Sequence, residues 1–381
     1  MIYLDHGATT AVLPEVVEAM TPYFVEYYGN PSGHYEYGET SKKAIEQVRR
    51  TIADSLGAQP EEIYFTAGGT ESDNWALHGM ADLHPGGHII TTQIEHHAIL
   101  HTCEYLEKKG MRVTYLPVDE KGMISLDQLE DAICEETCMI SVMFANNEIG
   151  TIQPIDDIGK IATKYNICFH TDAVQAYMHL RINVHDMAIS MLSASAHKFG
   201  GPKGVGFLYI NEKAKIQPQI LGGGQQSGMR SGTDNVPGIA VPGIAGMGKA
   251  VELGMKHGKE EAAYVKKLRN DTIKKLFREI PYLRLNGDFH HRLPGNINIS
   301  FQFVEAQSLL VLLDMQGICA SAGSACTSGD KGISHVLQAI HLREDLARGT
   351  LRFTLGADNT PEEMEELVKQ LKLLVNDLRS F

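Results

Sequence analysis

The sequence predicts an α/β fold: a mainly parallel seven-stranded sheet with helices on both faces in a large domain, joined to a smaller α+β domain. Three observations point to it. Short apolar runs alternate with helical periodicity from about residue 45 to residue 210, and that alternation is how parallel strands joined by crossover helices read. A length of 381 residues is a prior for two domains. A long polar helical stretch from about Lys249 to Glu279 reads as the bridge between them.

The seven strand runs are Ile63 to Phe65, His88 to Thr92, Arg112 to Leu116, Met139 to Phe144, Ile167 to Thr171, Ile189 to Leu192 and Val205 to Ile210. Gly222 to Gly248 is rich in Gly, Ser and Pro and reads as irregular loop. Further strands are expected at Asn296 to Phe301 and Leu351 to Thr354. The last helix has a clean start: Thr360 as N-cap, Pro361 behind it and Glu363 completing a capping box. Met364, Leu367, Val368, Leu371 and Leu378 give it one apolar face. Residues 13–256 are expected to form the large domain, with 1–12 and 257–381 forming the small one.

Lys and Arg number 34 against 47 Asp and Glu, a net charge of −13. That balance gives no nucleic-acid or anionic-membrane footprint. The start, Met1 to His6, shows no secretory signal pattern, and no run of about 18 apolar residues occurs. Six cysteines are too sparse for a secreted disulfide scaffold. The expectation is a cytoplasmic protein with reduced thiols.

Ligands of open α/β sheets bind beyond the carboxyl ends of the strands. There this chain gathers polar residues: Gly68-Gly69-Thr70-Glu71, Glu95-His96-His97, Asn146-Asn147-Glu148, Asp172 with Gln175, and Ser195-Ala196-His197-Lys198. A glycine turn feeding a helix start is an anion cradle. Together with a carboxylate, a histidine ring and a lysine, it suits an anionic ring cofactor whose carbonyl the lysine captures, as in pyridoxal 5'-phosphate. No Walker-type loop, nucleophile elbow or paired zinc spacing competes. Cys103, Cys134, Cys138, Cys168 and Cys319 sit in ordinary helix or strand contexts and read as small core residues. Cys326 differs, lying in a run of small residues from Ser321 to Gly332 that has no bulky apolar neighbour to bury it. An exposed thiol there calls for a use.

Stretches in one order along the whole chain then add a resemblance. They are Tyr3-Leu4-Asp5-His6-Gly7-Ala8-Thr9-Thr10, Gly29-Asn30-Pro31-Ser32, Phe65 to Asn74, Asn146-Asn147-Glu148-Ile149-Gly150, Asp172-Ala173-Val174-Gln175, His197-Lys198, Gly228 to Thr233, Gly323 to Ser328, and Arg352-Phe353. On these the sequence resembles the cysteine desulfurases of the NifS/IscS type, class-V aminotransferase-like enzymes of fold type I.

The resemblance implies roles. Lys198 would carry pyridoxal 5'-phosphate as a Schiff base, and His96 would stack on its ring and move protons. Asp172 would pair with the ring nitrogen and Gln175 with the ring hydroxyl. Gly69, Thr70, Ser195 and His197 would hold the phosphate, with Thr233 reaching it from a second copy in a homodimer. Asn147 and Arg352 would orient cofactor and substrate, Arg352 gripping the carboxylate of L-cysteine. Cys326 would take the sulfur as a persulfide and pass it to an acceptor, such as an iron–sulfur scaffold protein or a tRNA-thiolation enzyme. A selenocysteine lyase, or another lyase or aminotransferase of the same fold, is the alternative. The chain departs from the usual pattern at Gly7, where Ala is common, at Gly33, where a second Ser is frequent, at His97, where Lys is frequent, and at Thr354, where Ser is usual.

Overall fold

Apolar runs bounded by turns build the strands of this protein. A computed structural model describes residues 1–232, 241–322 and 333–380; Thr233 and Cys326 lie outside the described residues. The strands are β1 (Ile2–Tyr3), β2 (Ile63–Thr66), β3 (His88–Thr92), β4 (Arg112–Leu116), β5 (Thr137–Ser141), β6 (Cys168–Asp172), β7 (Met191–Ser195), β8 (Gly206–Ile210), β9 (Leu283–Leu285), β10 (Asn296–Phe301), β11 (Ile318–Cys319), β12 (Ser321–Ala322) and β13 (Thr350–Thr354). The helices are α1 (Pro14–Met20), α2 (Pro22–Val25), α3 (Glu36–Leu56), α4 (Gly69–Leu83), α5 (His97–Lys108), α6 (Leu126–Asp131), α7 (Ile155–Tyr165), α8 (Val241–Glu279), α9 (Ala306–Met315), α10 (His335–Ala339), α11 (Glu344–Ala347) and α12 (Pro361–Arg379).

The expected seven strands form one sheet in the order β2-β8-β7-β6-β5-β3-β4. The sheet is mixed: β8 runs antiparallel to both β2 and β7, and the remaining neighbours are parallel. Strands β3, β7 and β8 are buried along their whole length, which is why they read as runs rather than as alternations. β7 extends to Ser195, beyond the expected end at Leu192. Ser193 continues the strand because its hydroxyl finds the ring of His170 on β6 at 3.0 Å.

A second, four-stranded antiparallel sheet has the order β12-β13-β10-β9. Its core joins Ile297, Ile299, Leu351 and Phe353 to Leu309 and Leu313 of α9, Leu268 and Leu276 of α8, and Leu367 and Leu371 of α12. The capping box of α12 forms as expected, while Val375 rather than Leu378 completes the fully buried face. β1 pairs in parallel with β11 as a separate two-stranded sheet, and Asp5 bridges Thr354 of β13, which ties the N-terminus to the four-stranded sheet.

One expectation fails. The described chain is already helical at Val241, not from Lys249, so residues 241–248 are not loop. The glycines that suggested a loop are contact points. A Cβ on Gly246 would lie 2.6 Å from Met20 Sδ, and one on Gly248 2.4 Å from Val48 Cγ2. They let α8 approach α1 and α3 closely. Cys134 likewise lies in the turn after α6 rather than in a helix or strand. Among the described residues no helix is long and apolar enough to cross a membrane.

Candidate active site

Because β2, β3, β5, β6 and β7 share one direction, their carboxyl ends meet along one edge of the sheet. The polar segments named above follow these ends.

At the end of β2 the chain turns through Gly68, whose φ of 148° excludes most side chains. It then starts α4 at Gly69 with no side-chain cap. The first amides of α4 are left to an outside acceptor, and the helix dipole favours an anion there. Ser195 Oγ lies 3.3 Å from where a Gly68 Cβ would be, and Val174 lies against Gly69. Gly69, Thr70, Ser195 and the turn after Asp172 therefore converge. Glu71 secures the turn by accepting from Ala67 N at 2.9 Å and from Arg230 Nε at 2.8 Å.

His96 is the N-cap of α5, its Nδ1 accepting from Ala98 N at 3.1 Å. With Nδ1 as acceptor, the neutral ring carries its proton on Nε2. Asp172, the last residue of β6, accepts from Val174 N at 2.9 Å. Burial raises its pKa, while His96, the Val174 amide and Lys198 pull it back. Asp73 on α4 lies beneath it, held well above the carboxylate range by burial and then by the charge of Asp172. Asp73 Oδ1 is buried without a hydrogen-bond partner, and burial raises both of these coupled carboxyls, Asp73 the further. His170, between Asp73 and Ser141, is pushed down to about 3 by burial and is neutral. Glu95 is pushed up to about 8 by burial, although Met143 N and Thr92 Oγ1 both donate to it.

Lys198 ends the short turn after β7. Its ammonium donates to the carbonyls of Gly7 at 2.6 Å and Ala8 at 2.8 Å. Gln175 Nε2 donates to the same Gly7 carbonyl at 2.9 Å. His197 Nδ1 lies 3.2 Å from Thr9 Oγ1, and burial, then Lys198, lowers its pKa to about 4. Lys198 and Gln175 line a cavity of about 600 Å³, and Thr70 and His96 a hollow of about 630 Å³. A larger hollow of about 1090 Å³, lined by Gly87, Cys138 and Asn166, holds none of the expected site residues.

From the small domain, Arg352 on β13 donates from Nη1 to the Asn147 carbonyl at 3.1 Å and from Nη2 to Asp5 at 2.9 Å. Its Nε is buried without a hydrogen-bond partner. The pairing with Asp5 was not apparent in the sequence. The only signal was that Asp5 lies in the first quoted stretch.

The two departures at Gly7 and Thr354 prove to be neighbours. Gly7 N donates to Thr354 Oγ1 at 2.7 Å, and a Cβ on residue 7 would come 2.9 Å from Thr354 Cγ2. The extra methyl of threonine occupies the space an alanine at position 7 would need. Gly7→Ala is expected to cost about 1–3 kcal/mol. Most of it should return in the Thr354→Ser background, which removes that methyl and keeps the hydroxyl. Denaturation of the four proteins of this cycle checks it; equal costs in both backgrounds would refute the pairing.

Thus the described edge offers an anion cradle at a helix start, the Asp172 carboxyl backed by that of Asp73, an oriented histidine and a lysine amine. That set can hold an anionic group, pair with a cationic heterocycle and capture a carbonyl. Among the described residues no group of three His, Cys, Asp or Glu could hold a metal.

Comparison with known proteins agrees. The family described as Aminotransferase class-V matches residues 2–367. A protein of Clostridium botulinum (strain Hall), cysteine desulfurase IscS, is 50% identical over 384 residues, covering 100% of this chain and 96% of its own. A solved NifS-like protein superposes with a TM-score of 0.92 at 37% identity, covering 99% of each chain. Another structure, of SspA in complex with cysteine, has a TM-score of 0.83 at 39% identity, over 94% of this chain and 100% of that one. With its whole length matched and its strand ends equipped in this way, the chain belongs to the class-V aminotransferase family.

Proposed function

We propose that this protein is a cysteine desulfurase that uses pyridoxal 5'-phosphate to convert L-cysteine to L-alanine and leaves the sulfur on Cys326. The observation that carries the reading is the single edge on which the Gly69 helix start, Asp172 and Lys198 converge. Full-length identity of 50% with a curated cysteine desulfurase supports it.

The residues divide the work. Gly69, Thr70, Ser195 and His197 would hold the phosphate. Asp172 would pair with the ring nitrogen, Gln175 with the ring hydroxyl, and His96 would stack on the ring. When bound, the cofactor supplies an electron sink for bond breaking at the substrate's α-carbon. Lys198 takes the α-proton on Nζ, and the Gly7 and Ala8 carbonyls give that amine a resting place. Asn147 and Arg352 orient the substrate, with Arg352 receiving its carboxylate.

Sulfur transfer balances without an outside oxidant. An S–S bond forms between Cys326 and the substrate sulfur, and the substrate Cβ–S bond breaks. The carbon fragment takes up protons and leaves as alanine, and Cys326 holds a persulfide. From there the sulfur passes to an acceptor protein of iron–sulfur cluster assembly or tRNA thiolation.

A homodimer with Thr233 lent across the interface completes the site. It is supported by the exposed aromatic residues Phe24, Tyr28, Tyr35 and Tyr37 around α2 and the start of α3. We take the domain division at 12/13 and 256/257 as the working one. The test is Cys326→Ala: alanine production and protein-bound sulfur should both be lost, while the visible band of the bound cofactor remains. Full turnover in that variant would overturn the reading. Selenium release from selenocysteine that survives in it would favour the lyase alternative.

A further inference from the structure

The turn Asn146-Asn147-Glu148 does more than present Asn147. Asn146 Oδ1 accepts from the amides of Glu148 and Ile149, both at 2.9 Å, which fixes the turn. The Glu148 carbonyl accepts from Asn296 Nδ2 at 2.9 Å and Asn298 Nδ2 at 3.1 Å, tying it to β10 of the small domain. The Asn147 carbonyl accepts from Arg352. The Glu148 carboxylate points elsewhere: Oε2 accepts from Ser334 Oγ at 2.5 Å, in a buried position. Ser334 is the N-cap of α10, its Oγ accepting from Val336 N and Leu337 N. It is also where the chain returns after the segment that bears Cys326. The next residue makes a second tie. His335 Nε2 donates to the Glu95 carbonyl at 2.9 Å, and its ring meets that of His97 at 4.7 Å.

A buried carboxylate facing a serine is costly unless the bond it makes is needed. We infer that Glu148 is a positioning residue for sulfur transfer: through Ser334 it fixes the return point of the cysteine-bearing segment relative to the Asn147–Arg352 substrate site. The inference rests on Cys326 being the sulfur acceptor. It assigns Glu148 no contact with substrate or cofactor.

Burial pushes the Glu148 carboxyl up to about 7, with Ser334 and then Arg352 drawing it down. Arg352, itself paired with Asp5, is the charged group facing it, while Ser334, Asn296 and Asn298 are neutral. The charged form holds Ser334 more strongly than the protonated form. The tie is therefore strongest above pH 7 and weakens as pH falls through it.

The test separates two steps on the cofactor-loaded protein. Exchange of the α-hydrogen of L-cysteine in deuterated water needs Lys198 but no thiol; single-turnover sulfur loading of Cys326 needs both. Glu148→Gln and Ser334→Ala should each slow loading about 10-fold and leave exchange and the visible band unchanged. The double variant should be no slower than either single one, and Ser334→Thr should restore loading. The wild-type to E148Q loading ratio should fall toward one below pH 7, since titrations shared by both proteins cancel. Wild-type loading in E148Q or S334A, or equal loss of exchange and loading, would overturn the inference. If Cys326→Ala still transferred sulfur, the functional reading itself would fall. If Cys326 is required while E148Q loads normally, only the present inference falls.

Discussion

Lys198→Ala should lose at least about 1000-fold in alanine formation, because in the proposed function one amine would both capture the cofactor carbonyl and move the α-proton. The loss should be chemical rather than structural. The Gly7 carbonyl keeps its bond from Gln175 when the lysine is removed. The lysine stem borders a cavity of about 600 Å³ rather than a packed core. The variant should therefore remain folded, and should bind the cofactor without the borohydride-reducible link to the chain. A small exogenous amine should restore part of the rate, since the cavity has room for it. Turnover near the wild-type level without added amine would contradict the assignment of Lys198.

The second large effect is expected at Asp172. Asp172→Asn keeps the shape and the acceptor for Val174 N but removes the charge proposed to face the ring nitrogen. Transition-state stabilisation of this electrostatic kind is worth about 100-fold or more. The loss should fall on kcat, with KM nearly unchanged, because the proposed hold on the substrate lies elsewhere, at Arg352 and Asn147. A second consequence follows from the coupled pair. The charge of Asp172 is the second largest cause, after burial, that raises Asp73. In the variant the Asp73 pKa should drop. The visible band of the bound cofactor, titrated with pH, reads the change. A profile identical to wild type, with kcat intact, would remove Asp172 from its role.

Much of this site was legible because chemistry at strand ends survives small errors in strand bounds. β7 ends at Ser195 rather than Leu192, yet His197 and Lys198 still follow it at the correct edge. The direction of β8 was not legible, since period and hydrophobicity do not encode which way a buried strand runs. The start of α8 was misread because glycine carries two meanings, freedom in a loop and closeness between helices. Gly246 and Gly248 carry the second. Long-range pairs were out of reach altogether. Asp5 and Arg352 meet across 347 positions, and Glu148 and Ser334 across 186. Neither pair has a local pattern to betray it. The compensation between Gly7 and Thr354 was visible as two separate oddities, and only their contact shows that they are one.

Under the proposed function sulfur leaves cysteine by one route, through Cys326. The most direct test of this route is mass spectrometry of the cofactor-loaded protein after one turnover with L-cysteine, with free thiols trapped and peptides mapped. One added sulfur atom is expected on the peptide bearing Cys326, formed together with alanine in equal amount, and none on the peptides of Cys103, Cys134, Cys138, Cys168 or Cys319. Added sulfur on another cysteine, or alanine formed with no sulfur on Cys326 in the absence of any acceptor, would contradict it.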